Sequence, residues 1–436
     1  MGTLLGMSLL VTACGGIAAV DGAGSSSGSA NRAGTGSVGA GSAGTGSAGT
    51  GSAGIGSGSA GAGSGGAGSG PGSGGTGSAG GAFGAAGWGG AAPGRLRDFL
   101  RDPSFADDFW HPATPGESKL DPAPLEQALR LIEASGWEIH SFLIARNGRL
   151  VFERYGFDSG ANPAAPNTPP HQVLPNERQL QFSTTKSFLS ALVGIALDEG
   201  AISSLNVHAV DFFPDYASLE PSPDKSSITL ENLLTMRSGL AFVEGDQSTF
   251  STPDPARAMF SRKVIDTPVG TIWNYSSGGA NIIAEMLHVA TGKTPLAYGN
   301  EKLFGPIGIA SPPWDAGQSG TNFGGFGLAL TSREMARFGE LFRNSGKWLG
   351  KRVVPSAWTD ESTAPRCRTA WGGQYAYLWW VPDLPGFFNA LGSFGQMIYV
   401  SRERGLVIVF TAYMQNDVAK NNLERLIRDY VLPAAQ

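Results

Sequence analysis

The sequence predicts an α/β protein of the α+β kind: an antiparallel sheet flanked by helices, with a mostly helical region inserted into it. Two observations predict this class, and a third sets its boundary. Strand-like runs stand near both ends of the folded part. Helical periodicity fills the middle. Before all of this, residues 15–94 hold 33 of the chain's 65 glycines and two charged residues, Asp21 and Arg32. So little apolar surface cannot offset the entropy of ordering that stretch, so it is expected to be a disordered linker. The organisation read from the 436 residues is therefore 1–14 a signal, 15–94 a linker and 95–436 the folded domain.

Each element has its own warrant. Pro122 to Ala134 carries Leu125, Ala128, Leu129 and Ile132 at helical spacing. Ile139 to Ala145 and Leu150 to Tyr155 read as strands, joined through the hairpin signal Asn147-Gly148. Residues 157–180 are polar and proline-rich, hence loop. A helix is predicted from about Ser183 to Asp198, stopping at Gly200. Helical patterns recur at Ile228 to Met236, Asn281 to Ala290 and Ser332 to Arg343. Strands return at Tyr375 to Val381, Met397 to Ser401 and Leu406 to Thr411, and a last helix covers about Val418 to Val431.

Composition excludes several classes. A net charge of −5 argues against a generally basic nucleic-acid binder, so no nucleic-acid partner is expected. Cys14 and Cys367 are the only cysteines and imply no disulfide framework. His111, His140, His171, His208 and His288 are dispersed without an H-E-x-x-H pattern, so no metal site is expected. After the first dozen residues no apolar run approaches the ~18 needed to span a bilayer. Gly24 to Gly28 fits G-x-S-x-G only by composition, with no strand before it or helix after it. Gly292-Lys293-Thr294 lacks the upstream glycine of a phosphate loop, since position 287 is Leu. Cys367 lies between Arg366 and Arg368, a setting that favours a lowered pKa. No base accompanies it, so it is read as an incidental thiol.

The N-terminus reads MGTLLGMSLLVTAC. Its short apolar run suits a signal peptide, and Val11-Thr12-Ala13-Cys14 resembles a bacterial lipobox. That resemblance implies lipidation at Cys14. The linker would then be a flexible tether of roughly 50 Å between membrane and folded domain. Gly15, rather than Asp, after the cysteine favours the outer membrane or cell surface of a diderm bacterium.

The chemistry centres on Ser183-Thr184-Thr185-Lys186. Serine and lysine three apart on a helix share a face. At a helix N-terminus the free N–H groups and the dipole favour developing negative charge. A lysine there can serve as the base that activates the serine. The spacing alone is weak: Ser222-Pro223-Asp224-Lys225 has it too, and Pro223 with its polar surroundings suggests a loop. On spacing alone Ser183 reads as a helix cap.

Downstream context changes that. S-x-x-K occurs in class A β-lactamases and penicillin-binding proteins. Trp273-Asn274-Tyr275-Ser276-Ser277 resembles the Y-x-N element of class C β-lactamases and related esterases, with Ser277 in place of Asn. Ala390-Leu391-Gly392-Ser393 leads into a strand where that family has K-T-G. Ile228 to Met236, Leu303 to Ile309 and Gly327 to Thr331 are also similar to family signatures. Residues 120–436 thus resemble class C β-lactamase-related serine hydrolases, a group that includes 6-aminohexanoate-dimer hydrolases and has the β-lactamase/transpeptidase fold. The resemblance implies Ser183 as nucleophile, Lys186 as its base and Tyr275 as second acid/base. It implies an oxyanion hole from the backbone N–H groups of Ser183 and Ser393, and an auxiliary role for Ser277. No cofactor is implied. The expected function is a serine acyl hydrolase acting on a small ester or amide. The alternatives are a β-lactamase or D-alanyl-D-alanine carboxypeptidase, and a non-catalytic cell-wall-binding lipoprotein. The acyl group, leaving group and oligomeric state are left open.

Overall fold

The structure is a computed structural model that describes residues 95–162, 167–216, 219 and 222–436. The expected signal, Cys14 and the linker lie outside the described residues. The strands of the main sheet, in chain order, are β1 (Arg97–Asp98), β2 (Ile139–Arg146), β3 (Arg149–Tyr155), β4 (Cys367–Arg368), β5 (Gln374–Tyr375), β6 (Trp380–Val381), β7 (Phe388–Gly392), β8 (Gln396–Ser401) and β9 (Leu406–Ala412). They align as β1-β3-β2-β9-β8-β7-β6-β5-β4, antiparallel throughout. The expected sheet completed by both ends of the folded part is therefore present. β2 pairs with β9, setting Phe142 opposite Phe410 with their rings stacked at 4.5 Å. The β2–β3 hairpin turns at Asn147 and Gly148, with φ of 50° and 80°, the left-handed geometry that a two-residue hairpin requires.

The central strands are buried on both faces, so they read as nearly continuous apolar runs. Their period of two still sorts the side chains. Leu143, Ala145, Ile398, Val400, Val407 and Val409 face one core. Phe142, Ile144, Met397, Tyr399, Ile408 and Phe410 face the other. The second core is closed by α1 (Pro122–Ser135), through Leu125, Ala128 and Ile132, and by the C-terminal α5 (Asn416–Leu426). The first core holds α2 (Thr185–Asp198), α3 (Ser277–Thr291) and α4 (Ser332–Arg343). Each fully buried Leu, Ile or Phe contributes about 1.5–3 kcal/mol.

Two features fix α4 on the sheet. A Cβ on Gly339 would lie 2.5 Å from Val407 Cγ1, so the helix approaches β9 more closely than any other residue permits. Arg333 also pairs with Glu153 of β3 at 2.7 Å, with the Glu153 side chain fully buried. α2 is buried almost all round, and Phe188 stacks on Phe338 of α4 at 3.7 Å. This helix is the rigid mount for what precedes it.

Several expectations need correction. Tyr375 to Val381 is not one strand: β5 and β6 pair with each other as a hairpin, with Leu378 between them at φ 60°. The stretch 157–180, read as loop, contains the short strand pair Phe157–Asp158 with His171–Gln172, and Gln179–Leu180 pairs with Ala329–Leu330. Ile228 to Met236 is helical only over Leu230–Leu234, since Met236 turns left-handed at φ 58°. The last helix begins at Asn416 and widens into a π-helical turn at Ile427–Val431.

Candidate active site

Ser183 does not open a regular α-helix, as the spacing suggested. It sits in a 3₁₀ turn, Phe182–Thr184, that runs into α2 at Thr185. No side chain caps α2, so Ser183 is not the simple cap that spacing alone favoured. Within the otherwise buried run 181–196 only Ser183 is partly exposed. Its hydroxyl is thus within reach of a substrate while its neighbours are fixed.

The turn is strained and held. Phe182 has φ 46°, costly for a bulky residue, and Phe394 across the gap has φ 66°. Conformations of this kind cost about 1–3 kcal/mol each and persist only where surroundings over-determine them. Here the two rings pack edge to face at 5.2 Å. Thr184 Oγ1 donates to Gln396 O at 2.9 Å. A Cβ on Gly392 would fall 2.3 Å from Gln181 O, so only glycine lets the end of β7 approach the turn this closely. Ser393 follows immediately, starting the 3₁₀ turn Ser393–Gly395 between β7 and β8.

Lys186 is 1% exposed. Its Nζ donates to Ser183 Oγ at 3.0 Å, Ser277 Oγ at 2.8 Å and Gly325 O at 2.9 Å. It also lies 4.7 Å from the centre of the Tyr275 ring. Gly325 must be glycine: a Cβ there would meet Ser277 Cβ at 2.9 Å. Tyr275 is buried among Trp273, Trp371, Tyr375 and Trp380, with ring centres at 6.1, 5.3, 6.2 and 5.5 Å. Trp371 is 46% exposed and carries this aromatic wall to the surface. Burial pushes the Tyr375 phenol well above its ordinary pKa, so Tyr375 stays neutral. The fold thus brings together Ser183, Lys186, Tyr275 and Ser277, and sets Ser393 beside the turn that carries Ser183.

One neighbour went unread in the sequence. Ser277 is the first residue of α3, whose N-terminus is capped by Ser276. Both the backbone N–H and the hydroxyl of Ser277 donate to Glu244, at 2.9 Å to Oε2 and 2.5 Å to Oε1. Glu244 lies in a loop 33 residues upstream with no motif around it. The only available signal was a lone acid beside the apolar pair Phe242-Val243.

Other candidates resolve structurally. Ser222 caps, and Lys225 lies on, a four-residue helix rather than a loop, with Pro223 at its first position. Gly292 ends α3 in the left-handed conformation, and Thr294 caps the next helix. Cys367 is half-buried, and burial raises its pKa against a weaker pull from Arg237. The lowering expected from Arg366 and Arg368 is thus overturned. Arg366 is turned away to Glu361 at 3.3 Å. Glu138, His140 and Asp158 approach one another, but His140 is already bound to Glu138 at 3.1 Å and Gln179 at 3.0 Å, leaving its ring nitrogens satisfied.

Comparison with known proteins gives the family and the fold. The chain matches the Beta-lactamase family over residues 140–432. A 6-aminohexanoate-dimer hydrolase of Paenarthrobacter ureafaciens is 24% identical over 346 residues, covering 72% of this chain and 83% of that protein. Among solved structures, a penicillin-binding protein homologue from Caulobacter crescentus shares the fold with a TM-score of 0.58 and 17% identity, over 72% of this chain and 97% of that one. A family VIII carboxylesterase does so with a TM-score of 0.56 and 19% identity, over 71% and 96%. The antiparallel sheet, the turn and helix that carry Ser-x-x-Lys and the family match over most of the folded part lead to one assignment: the protein belongs to the Beta-lactamase family of hydrolases.

Proposed function

We propose that the protein is a serine acyl hydrolase for uncharged esters or amides, working through an acyl-enzyme on Ser183. The observation that carries the reading is the partly exposed Ser183 hydroxyl 3.0 Å above the buried Lys186 Nζ. Neutral Lys186 takes the Ser183 proton as Oγ attacks the carbonyl carbon. Electrons move onto the carbonyl oxygen, which the N–H groups of Ser183 and Ser393 would receive. The tetrahedral centre collapses, and Tyr275 with Lys186 returns a proton to the departing alcohol or amine. Water then repeats the sequence on the acyl-enzyme.

Two features support an uncharged substrate. Where relatives have the K-T-G lysine, this chain has Ala390-Leu391-Gly392. Arg402, a nearby cation in sequence, stands at the opposite end of β8 and is held by Asp360, Thr359 O and Phe342 O. A substrate carboxylate would lose a charge-assisted bond, about 1.5–3 kcal/mol or 10- to 100-fold in recognition. The aromatic wall from Tyr275 to Trp371 offers apolar contact instead. Short-chain p-nitrophenyl esters or neutral amides are expected to be turned over better than penicillins, cephalosporins or D-Ala-D-Ala peptides. Comparing kcat/KM for p-nitrophenyl butyrate and nitrocefin decides it. Nitrocefin turnover near ~10⁶ M⁻¹s⁻¹ with negligible esterase activity would establish a β-lactamase instead. A fluorophosphonate probe is expected to label Ser183, read by peptide mapping, and failure to label would favour a non-catalytic binder.

We further propose, from the lipobox-like Val11-Thr12-Ala13-Cys14, that the hydrolase is lipid-anchored at Cys14 in the cell envelope of a bacterium. Cys14→Ser is expected to abolish lipid labelling and release the protein from membranes. Membrane association that persists in this variant removes the anchor.

A further inference from the structure

We infer that Glu244 is the positioning residue that aims the Lys186 lone pair at Ser183. The assignment rests on the serine-hydrolase reading above and adds to it the group that fixes the direction of proton transfer.

A carboxylate only accepts. Ser277 has a single hydroxyl proton, and at 2.5 Å from Glu244 Oε1 that proton points to Glu244. The backbone N–H of Ser277 holds the other oxygen at 2.9 Å, so the carboxylate is gripped at both ends and cannot rotate away. Towards Lys186, 2.8 Å away, Ser277 therefore presents only lone pairs. The Gly325 carbonyl, at 2.9 Å, also presents only lone pairs. A neutral lysine amine has two N–H bonds and one lone pair. Its two N–H bonds are matched by Ser277 and Gly325. In the structure Nζ donates to all three oxygens; once the amine is neutral, Ser183 Oγ is the one of the three with a proton to give, so the lone pair faces it.

Remove the charge on Glu244 and this order fails. The Ser277 hydroxyl becomes free to turn and donate to Nζ. Lys186 then has two hydroxyls competing for one lone pair, and the ground state in which it faces Ser183 is diluted. After proton transfer the same arrangement serves the product state. The new ammonium donates to Ser183, Ser277 and Gly325, as in the structure. Glutamine cannot replace the carboxylate, because its single carbonyl oxygen can face only one of the two Ser277 donors. Its NH₂ would oppose the other. The Ser277–Glu244 pair thus performs jointly what one asparagine amide does where the Y-x-N form is present.

The test is a double-mutant cycle on p-nitrophenyl butyrate with full-length protein, measuring kcat and KM separately. Glu244→Gln is expected to lower kcat by about 10²-fold with KM within about threefold, since the carboxylate touches no substrate. Ser277→Ala is expected to do the same. Because Glu244 acts only through the Ser277 hydroxyl, the double variant should match the worse single one. Losses that multiply to about 10⁴-fold would mean independent effects and overturn the assignment, as would wild-type kcat in Glu244→Gln. Glu244 also faces the N-terminus of α3, so each variant is checked by thermal melting. If Glu244→Gln does not fold, Glu244→Asp carries the test. It keeps the charge but withdraws it by one methylene, and a kcat at least tenfold below wild type is expected, with an unchanged kcat overturning the idea. Ser183→Ala measured alongside separates the two levels. Turnover surviving there removes the hydrolase mechanism itself, whereas an inactive Ser183→Ala beside a fully active Glu244→Gln removes only the role of Glu244.

Discussion

The chain contains Ser-x-x-Lys twice, at Ser183 and at Ser222, and the two copies put the same atoms to different uses. At the second copy Ser222 caps the helix Pro223–Ser226, its Oγ accepting the Lys225 N–H at 3.1 Å. Lys225 Nζ turns elsewhere, to Leu219 O at 2.9 Å. At the first copy a 3₁₀ turn precedes the helix and Ser183 caps nothing, which leaves its oxygen to Lys186. The difference shows that spacing supplies the face and the preceding turn decides the partner. In that turn Phe182 is held at φ 46° by its contacts with Phe394 and the end of β7.

Five substitutions break or sharpen this contrast. The largest effect belongs to Ser183→Ala, which is expected to reduce p-nitrophenyl ester turnover to background while circular dichroism stays unchanged. Lys186→Ala and Tyr275→Phe should each cost at least ~10²-fold in kcat, as expected for lost acid–base help. A wild-type rate in either removes that residue from its role. Gly392→Ala probes the support of the turn. Its Cβ would meet Gln181 O at 2.3 Å, so the end of β7 must shift away, and a kcat loss of roughly tenfold is expected with global stability largely kept. An unchanged kcat would show that the turn does not depend on this contact. The smallest effect on activity is at the other copy. Ser222→Ala should leave kcat/KM at the wild-type value while lowering stability by about 1 kcal/mol, the usual cost of a lost N-cap, read from a denaturant melt. A loss of activity there would make the two copies functionally alike.

Much of this was legible because local physics and global fold agreed. Asn147-Gly148 announced its hairpin because few other pairs tolerate two left-handed residues in succession. Ser332–Arg343 was read to the residue, since Thr331 and Glu334 form a capping box and the apolar face repeats cleanly. Tyr375 to Val381 misled for the opposite reason. Residues 375–379 are all buried, so alternation gives no sign of the turn at Leu378. In the site, Ser183, Lys186, Tyr275 and Ser277 were found through motif order, and the structure gathers them. Glu244 was not found, because its tie to Ser277 exists only after α3 has docked beside its loop. A two-residue strand such as Gln179–Leu180 is likewise defined only by its partner, Ala329–Leu330.

The pairing of β2 with β9 also has a consequence for how the protein is made. Ile139–Arg146 leaves the ribosome long before Leu406–Ala412, yet they are neighbours within the sheet. Long-range pairing of this kind is slow to form and leaves apolar strand edges uncovered in the meantime. During synthesis β2 and β3 must wait as a hairpin whose core-facing side has no cover. Gln396 and Phe394, which steady the turn that carries Ser183, arrive only shortly before β9. The growing chain therefore holds no completed Ser183 turn until β8 and β9 have been translated. A nascent chain halted before Leu406 should neither react with a fluorophosphonate nor resist protease.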